Sequence, residues 1–136
     1  EQIKKLKKNY QIRNRNFSIY YEYLKKNTDK FILPDNNLEL HTAWLAFPII
    51  MKEKKNLRRK QLQIFLEKKN IQTRVIFSGN ILRQPAFKHL RKYNKVNSFK
   101  NSDYIMKNSI LVGLHQGLNK NNILKVVKNV DKFIKN

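Results

Sequence analysis

Residues 73–85 read TRVIFSGNILRQP, and this stretch determines how the middle of the chain folds. Its β-branched residues predict a strand over residues 71–77. Ser78, Gly79 and Asn80 are residue types that form tight turns, because glycine accepts a positive φ and asparagine tolerates one. We expect a short helix over residues 84–90 after the turn. A strand, a tight turn and a short helix therefore follow one another here.

The same stretch carries the candidate binding residues of the chain. Thr73, Arg74, Asn80, Arg83 and Gln84 stand at the end of a strand, across a turn and at the mouth of a helix. Two arginines beside an amide-rich turn and a helix start suit a phosphate group or an array of sugar hydroxyls. Arg74 and Arg83 equally suit ordinary surface pairing with Asp or Glu. Residue chemistry alone leaves these two interpretations balanced.

The segments on either side of this stretch predict helices packed on a small sheet. Apolar residues at helical spacing predict a helix of roughly 25 residues at the start of the chain and another at its end, capped by Asn119 or Asn121. Pro48 lacks an amide hydrogen, so we expect it at a sheet edge or a bulge. The other predicted elements are a loop over residues 28–37, strands over residues 38–51 and 110–113, and helices over residues 56–69 and 98–108. The predicted class is α+β, with a short β-sheet covered by helices.

The first predicted helix has one continuous apolar stripe. Its members are Ile3, Leu6, Tyr10, Phe17, Tyr20 and Leu24, with Arg13 occupying the missing place. Apolar residues at this spacing share one face of a helix. A small domain has little material to cover so long a stripe, so we expect the helix to pack on something outside the chain.

The net charge of +21 raises the question of a nucleic-acid partner, because basic side chains give sequence-independent affinity for phosphates. However, 23 of the 30 basic residues are Lys, whereas Arg is the residue expected for bidentate phosphate and base contacts. Lys, Asn and Ile make up 55 of the 136 positions, and all three have A/T-rich codons. The composition therefore favours a solvated Lys-rich surface, and nucleic acid is not the expected partner.

Several other classes of protein and site are not indicated. The chain has no cysteine for a disulfide or a thiolate-bound metal, and no apolar run reaches the roughly 18 residues needed to span a bilayer. The start at Glu1 indicates a piece of a longer protein, no secretory leader is visible, and we expect a cytoplasmic location. His41, His89 and His115 have no metal-ligand spacing, and no nucleophile elbow, carboxylate pair or Gly-rich phosphate loop is present. We expect no metal site, and no catalytic residue within the chain.

Six short motifs, in this order and spacing, resemble the C-terminal part of the DegT/StrS-type sugar aminotransferase family. They are AWLAFPI at residues 43–49, IQTR at 71–74, SGN at 78–80, RQPAF at 83–87, NSDYIM at 101–106 and VGLHQGL at 112–118. The third, fourth and fifth look like the CDP-4-keto-6-deoxyglucose 3-dehydrase branch, which is associated with lipopolysaccharide biosynthesis. Gln116 departs from the pattern, since a proline is usual there. The resemblance covers about residues 10–136, the last third of such an enzyme.

This resemblance implies the small C-terminal domain of a fold-type-I enzyme that depends on pyridoxal phosphate (PLP) or pyridoxamine phosphate (PMP). Residues 1–30 would form a long helix connecting it to an upstream large domain, and residues 31–136 would form the small domain. The implied full-length enzyme is a homodimer that acts on a nucleotide-linked keto-deoxysugar, with an iron–sulfur cluster and a partner reductase. The cofactor and the cluster would be held upstream, so the fragment alone is expected to bind neither and to be inactive.

The resemblance also assigns roles to the polar stretch. It turns the balance towards substrate binding by Arg74, Asn80, Arg83 and Gln84. Three functions remain open: a nucleotide-sugar 3-dehydrase, a sugar aminotransferase of the same family, and an independent basic module that binds nucleic acid. The upstream residue that anchors the cofactor separates the first two, because it is a histidine in the dehydrases and a lysine in the aminotransferases. Salt-sensitive binding of the isolated chain to DNA or RNA would indicate the third.

Overall fold

The computed structural model of the chain describes residues 2–35, 42–53, 58–92 and 98–135. These residues form four α-helices, four strands and two 3₁₀ helices. In chain order they are α1 (Gln2–Lys25), β1 (Phe31–Ile32), β2 (Ala46–Met51), α2 (Arg59–Glu67), β3 (Thr73–Arg74), the 3₁₀ helices Ile81–Arg83 and Pro85–Lys92, α3 (Lys100–Asn108), β4 (Ser109–Gly113) and α4 (Lys120–Lys135). The predicted α+β class is confirmed.

The strands form one antiparallel sheet in the order β1-β2-β4-β3. Successive side chains of a strand point to opposite faces, and β2 and β4 follow this alternation. Phe47 and Ile49 of β2 lie opposite Val112 and Ile110 of β4, and all four are at most 1% exposed. Residues of α1, α2 and α4 complete the core on this face of the sheet. On the opposite face, Pro48 and its neighbours are only half-buried.

Pro48 lies in β2, which has a neighbouring strand on each side, yet at Pro48 itself only one of the two neighbouring strands is present. It pairs with Leu111 of β4. The other neighbour, β1, reaches only Ile50 and Met51. Because β1 is two residues long, no β1 backbone group faces Pro48, and the missing amide hydrogen costs the sheet no ladder bond there. The predicted edge position therefore holds locally.

Helix α1 has two halves with different surroundings. Phe17, Tyr20 and Leu24 are buried in the core, and the ring of Phe17 stacks on Trp44 at 4.6 Å between centroids. By contrast, Ile3 is 86% exposed and Leu6 is 63% exposed. The expectation that the whole stripe lacks a cover is therefore wrong for its second half, which packs on the sheet and on α4. In the first half Ile3 and Leu6 are exposed, and their packing on something outside the chain stays a prediction.

The start of α4 shows how the sequence sets a helix boundary. The side chain of Asn119 accepts a hydrogen bond from the amide of Asn122, and the side chain of Asn122 accepts one from the amide of Asn119, both at 3.0 Å. This reciprocal pair satisfies two amides that have no partner within the helix. Asn119, and not Asn121, is the cap. The helix predicted over residues 56–69 is α2, and its predicted first residue, Asn56, lies outside the described residues.

Other sequence predictions are corrected by the structure. The strand predicted over residues 71–77 is only Thr73–Arg74, because the chain then leaves β4 and enters a turn in which the Gly79 amide donates to the Ile76 carbonyl at 3.1 Å. The helix predicted over residues 84–90 is a 3₁₀ helix, Pro85–Lys92. Within the described residues, the strand predicted over residues 38–51 begins at Ala46. The short strand β1 falls in a predicted loop.

Helix α3 and strand β4 agree closely with the helix predicted over residues 98–108 and the strand predicted over residues 110–113. None of the helices in the described ranges is long and apolar enough to cross a membrane.

Candidate functional site

A tight turn over residues 76–84 is built around Gly79, and we call it the Gly79 turn. Gly79 has a φ of +61°, which an L-residue rarely adopts. A Cβ atom added to it would lie 2.4 Å from the Cβ and Cγ atoms of Met106 in α3. Glycine is therefore required here twice, by the backbone conformation and by the close approach of α3.

The carboxylate of Asp103, in the first turn of α3, fixes the Gly79 turn from the side. The buried Asn80 donates to it through Nδ2 at 2.9 Å. Arg83 donates in a bidentate manner, with Nε 2.7 Å from Oδ1 and a terminal nitrogen 2.6 Å from Oδ2. These hydrogen bonds, first those of Arg83 and then that of Asn80, lower the pKa of Asp103 from 3.8 to about 2. The same pairing raises the pKa of Arg83.

The remaining polar groups of the turn are also used within it. The side-chain oxygen of Asn80 accepts from the Leu82 amide at 3.1 Å and caps the first 3₁₀ helix. Gln84 donates through Nε2 to the carbonyl of Ser78 at 2.8 Å. Three of the four predicted binding residues, Asn80, Arg83 and Gln84, are thus brought together, and their described hydrogen bonds stabilise the turn itself.

Arg74, the fourth predicted residue, has different surroundings. It lies on the edge strand β3 opposite Leu111, and it is exposed. Its neighbour Thr73 faces the interior and donates to Glu67 at 2.7 Å. Among the residues that the structure describes, Arg74 forms no ion pair with a carboxylate. The two arginines that the sequence could not separate therefore differ: Arg83 is paired and Arg74 is not.

Arg74 lines a cavity of about 460 Å³, which we call the Arg74 cavity. Its wall is formed by the start of β2, the end of β4 with the loop that follows, the segment before β3 and the first turns of α4. Two further basic side chains, His115 and Lys125, lie on this wall. Sequence reasoning missed both as binding candidates, because only the sheet topology brings these four distant segments together.

The loop between β4 and α4, which forms part of this wall, is held by α1. Asn16 is fully buried, and its Nδ2 donates to the carbonyls of Leu114 at 3.3 Å and Leu118 at 3.2 Å. Arg13 donates twice to the side-chain oxygen of Gln116, at 3.0 and 2.9 Å. The residue at position 116 that departs from the family pattern thus contacts the Arg that interrupts the apolar stripe of α1. These bonds fix the loop before any ligand arrives.

No group of three or more His, Cys, Asp or Glu side chains that could hold a metal ion occurs among the described residues. Within the same residues, every buried side-chain nitrogen and oxygen has a hydrogen-bond partner. The Arg74 cavity is the candidate ligand site, because Arg74 and Lys125 line a concave surface and form no ion pair with a described carboxylate.

Comparison with known proteins identifies relatives over nearly the whole chain. A model of the DegT/DnrJ/EryC1/StrS aminotransferase family matches residues 1–131. The lipopolysaccharide biosynthesis protein RfbH of Salmonella typhimurium is 32% identical over 132 residues, which are 97% of this chain and 30% of that protein. The dTDP-4-dehydro-2,6-dideoxy-D-glucose 3-dehydratase of Saccharopolyspora spinosa is 33% identical over 103 residues, 76% of this chain and 22% of that protein.

Among solved structures, the E. coli GDP-4-keto-6-deoxy-D-mannose-3-dehydratase with bound hydrated PLP has a TM-score of 0.78 and 26% identity. The match covers 94% of this chain and 32% of that one. The chain thus spans a third or less of the length of these relatives.

Proposed function

We propose that the chain is the C-terminal domain of a PLP- or PMP-dependent nucleotide-sugar 3-dehydrase, because it belongs to the DegT/DnrJ/EryC1/StrS aminotransferase family. The observation that carries this proposal is the similarity, over most of the chain, to RfbH and to a protein named as a 3-dehydratase. The reaction would belong to deoxysugar and lipopolysaccharide O-antigen biosynthesis, in the cytoplasm. The second candidate is a sugar-nucleotide aminotransferase, which the name of the family favours.

The full-length enzyme would have parts that the chain does not contain. We propose an upstream large domain connected through residues 1–30, with residues 31–136 as the small domain. Homodimer formation, an iron–sulfur cluster and a partner reductase complete the proposal. The exposed apolar residues at the start of α1, Ile3 and Leu6, are consistent with a connecting role, because they lack a cover within the described domain.

The described residues do not form a complete site for the cofactor. A phosphate-bearing cofactor needs several convergent donors, such as free backbone amides, Arg or Lys. In the Gly79 turn, Arg83 is neutralised by Asp103, and Asn80 and Gln84 already donate to protein oxygens. We therefore place the cofactor site in the upstream part of the enzyme and derive no reaction step from this chain.

The proposed contribution of the chain is to bind substrate. We propose that Arg74, Asn80, Arg83 and Gln84 line the substrate side of the cleft, where the substrate is a nucleotide-linked keto-deoxysugar. Arg74 is the first candidate for a direct contact with a phosphate, because its guanidinium is exposed and carries no ion pair among the described residues. The other three would act mainly by holding the Gly79 turn at the edge of the cleft.

The experiment is to express the full-length enzyme and to supply PMP, a reductase and a nucleotide-linked 4-keto-6-deoxysugar. A 3-dehydrase removes the C3 hydroxyl, and mass spectrometry and NMR of the product would show its loss. An aminotransferase, supplied with PLP and an amino donor, would instead give a sugar that carries a new amino group. A protein that performs neither conversion on any nucleotide-linked keto sugar would refute the proposal.

The substrate role is tested by Arg74→Ala in the same enzyme. We expect KM to rise about 10-fold, the range for losing one charged hydrogen bond, with a smaller change in kcat. Lys128→Ala, an exposed Lys of α4, is the matched control and should leave both constants unchanged. Equal kinetics for the wild type and Arg74→Ala would exclude Arg74 from the substrate site.

A further inference from the structure

The Arg74 cavity is positively charged, and nothing in its described wall neutralises the charge. Arg74 and Lys125 supply this charge, the neutral ring of His115 also lines the cavity, and none of the described lining residues is Asp or Glu. By contrast, Arg83 pairs with Asp103, and Lys135 pairs with Asp131 at 2.6 Å. Cations gathered around a concave surface without an acid attract anions, because the low-dielectric wall focuses their field.

The rest of the wall is apolar, with amides at its margin. Leu45 is 74% exposed, and Leu111 and Leu118 lie beside it on the same cavity. Asn70 and Asn122 add hydrogen-bonding groups. A cavity of about 460 Å³ is much larger than a phosphate ion and falls in the range of small-molecule sites. Its chemistry suits an anion that carries a flat or apolar body with polar edges.

We propose that the Arg74 cavity binds the nucleoside diphosphate part of the substrate, with the phosphates beside Arg74 and Lys125 and the nucleoside over the leucines. This inference rests on the proposed function and specifies which part of the substrate this domain holds. Arg offers a planar fork that matches phosphate oxygens, and Lys adds a point charge. The nucleobase supplies the apolar face and polar edges that the remaining wall can accept.

The cavity has a preformed wall, which favours binding. The loop that carries His115 and Leu118 is held by the buried Asn16 and by the contact between Arg13 and Gln116. A wall that is fixed before binding avoids the entropic cost of ordering it around the ligand. We expect ligand binding to leave the conformation of this loop unchanged.

The test measures binding of CDP, GDP, dTDP and UDP, and separately of inorganic pyrophosphate, to the full-length enzyme by isothermal titration calorimetry. We expect at least one nucleoside diphosphate to bind more tightly than pyrophosphate. Arg74→Gln and Lys125→Gln should each lower the affinity for that nucleoside diphosphate about 10-fold. Leu45→Gln should lower the affinity for the nucleoside diphosphate but not for pyrophosphate, because it changes only the apolar wall.

The matched control is Lys128→Gln. Lys128 lies one turn beyond Lys125 on α4, is equally exposed and does not line the cavity. Lys128→Gln should bind the nucleoside diphosphate as tightly as the wild type. A general attraction of anions to the Lys-rich surface would instead lower the affinity equally in Lys125→Gln and Lys128→Gln. That equality would overturn the inference, as would pyrophosphate binding as tightly as every nucleoside diphosphate, or wild-type affinity in Arg74→Gln.

The dehydrase assay on the same preparation separates the two proposals. An enzyme that converts a nucleotide-linked keto sugar but binds nucleoside diphosphates independently of Arg74 and Lys125 would refute the site and keep the function. Binding that depends on these residues, in a protein that converts no such sugar, would refute the function and support the site.

Discussion

The Gly79 turn and the Arg74 cavity are neighbours in the chain, yet their polar groups are arranged in opposite ways. In the turn, Asn80, Arg83 and Gln84 donate to Asp103 and to a backbone carbonyl. At the cavity, Arg74 and Lys125 face open space without an acid among the described residues. A polar group that is already paired mainly stabilises the protein, whereas one held unpaired at a concave surface is available to a ligand.

Because of this difference, the two arginines have different roles. Arg83 donates through Nε and one terminal nitrogen to a single carboxylate, so its charge is compensated before any substrate arrives. Arg74 belongs to a two-residue edge strand. The other residue of this strand, Thr73, donates a hydrogen bond to Glu67. The strand is short, but this anchor and its pairing with β4 hold the backbone of Arg74 in place, while the guanidinium forms no ion pair with any carboxylate that the structure describes. The predictions below follow from that division.

The largest effect is expected for Gly79→Ala. The new Cβ would have to displace Met106 and would adopt a left-handed φ, so we expect a loss of about 3 kcal/mol in the free energy of unfolding. Urea unfolding of the 136-residue chain measures it. Gly117→Ala is the matched control, because its φ is not positive and its Cβ would approach only the His115 side chain, at 3.1 Å. Comparable losses for the two variants would contradict the special role of Gly79.

The next prediction contrasts the two regions directly. Asn80→Ala removes a helix cap and a buried donor, so the free energy of unfolding should fall by about 1–2 kcal/mol. Arg74→Ala removes an exposed side chain without an ion pair among the described residues, and the change should stay within about 0.5 kcal/mol. Urea titrations of the two variants check this. A loss for Arg74→Ala as large as that for Asn80→Ala would mean that Arg74 is structural as well.

The same division shows what the sequence could predict. Helices α1 and α4 follow from helical spacing and from the capping chemistry of Asn119, both of which are local signals. The turn residues also follow from local chemistry, since Gly79 has the positive φ that glycine accepts and Asn80 is an extended residue that caps a helix. Local signals identified the polar residues of the stretch without showing which of them are paired.

Pairing could not be predicted, because it depends on tertiary contacts. No local signal connects Asp103 with the turn, yet its carboxylate fixes the turn across a gap of 20 residues. The Arg74 cavity likewise requires β4 to lie between β2 and β3, an order that no local pattern specifies. Strand β1 is too short to give a period, and β3 ends after Arg74 because the chain turns away from β4.

A smaller effect, of opposite sign, is expected at the tip of the Gly79 turn. Phe77 has a φ of +45° and is 86% exposed, so its ring gains little from the fold while its backbone is strained. Asparagine tolerates this conformation better, and Phe77→Asn should raise the free energy of unfolding by about 0.5–1 kcal/mol. Phe77→Leu, which keeps an apolar side chain and the strain, is the control and should give no gain. A loss in Phe77→Asn would show that the ring makes a stabilising contact.

The smallest effect concerns the pH dependence of the ion pair that closes the Gly79 turn. Hydrogen bonds from Arg83 and Asn80 lower the pKa of Asp103 from 3.8 to about 2, so the folded state favours the ionised form. The resulting stabilisation is complete above pH 3.8 and is lost as the pH falls towards 2. Because Arg83 is exposed and Asp103 is partly exposed, solvent screening keeps the effect small. We expect the urea midpoint of the wild type to exceed that of Asp103→Asn at pH 5. The difference between the two midpoints should shrink by pH 2. Comparing the two proteins cancels the titration of the other carboxylates, and a difference that did not change with pH would show that the turn is held by the shape of residue 103 and not by its charge.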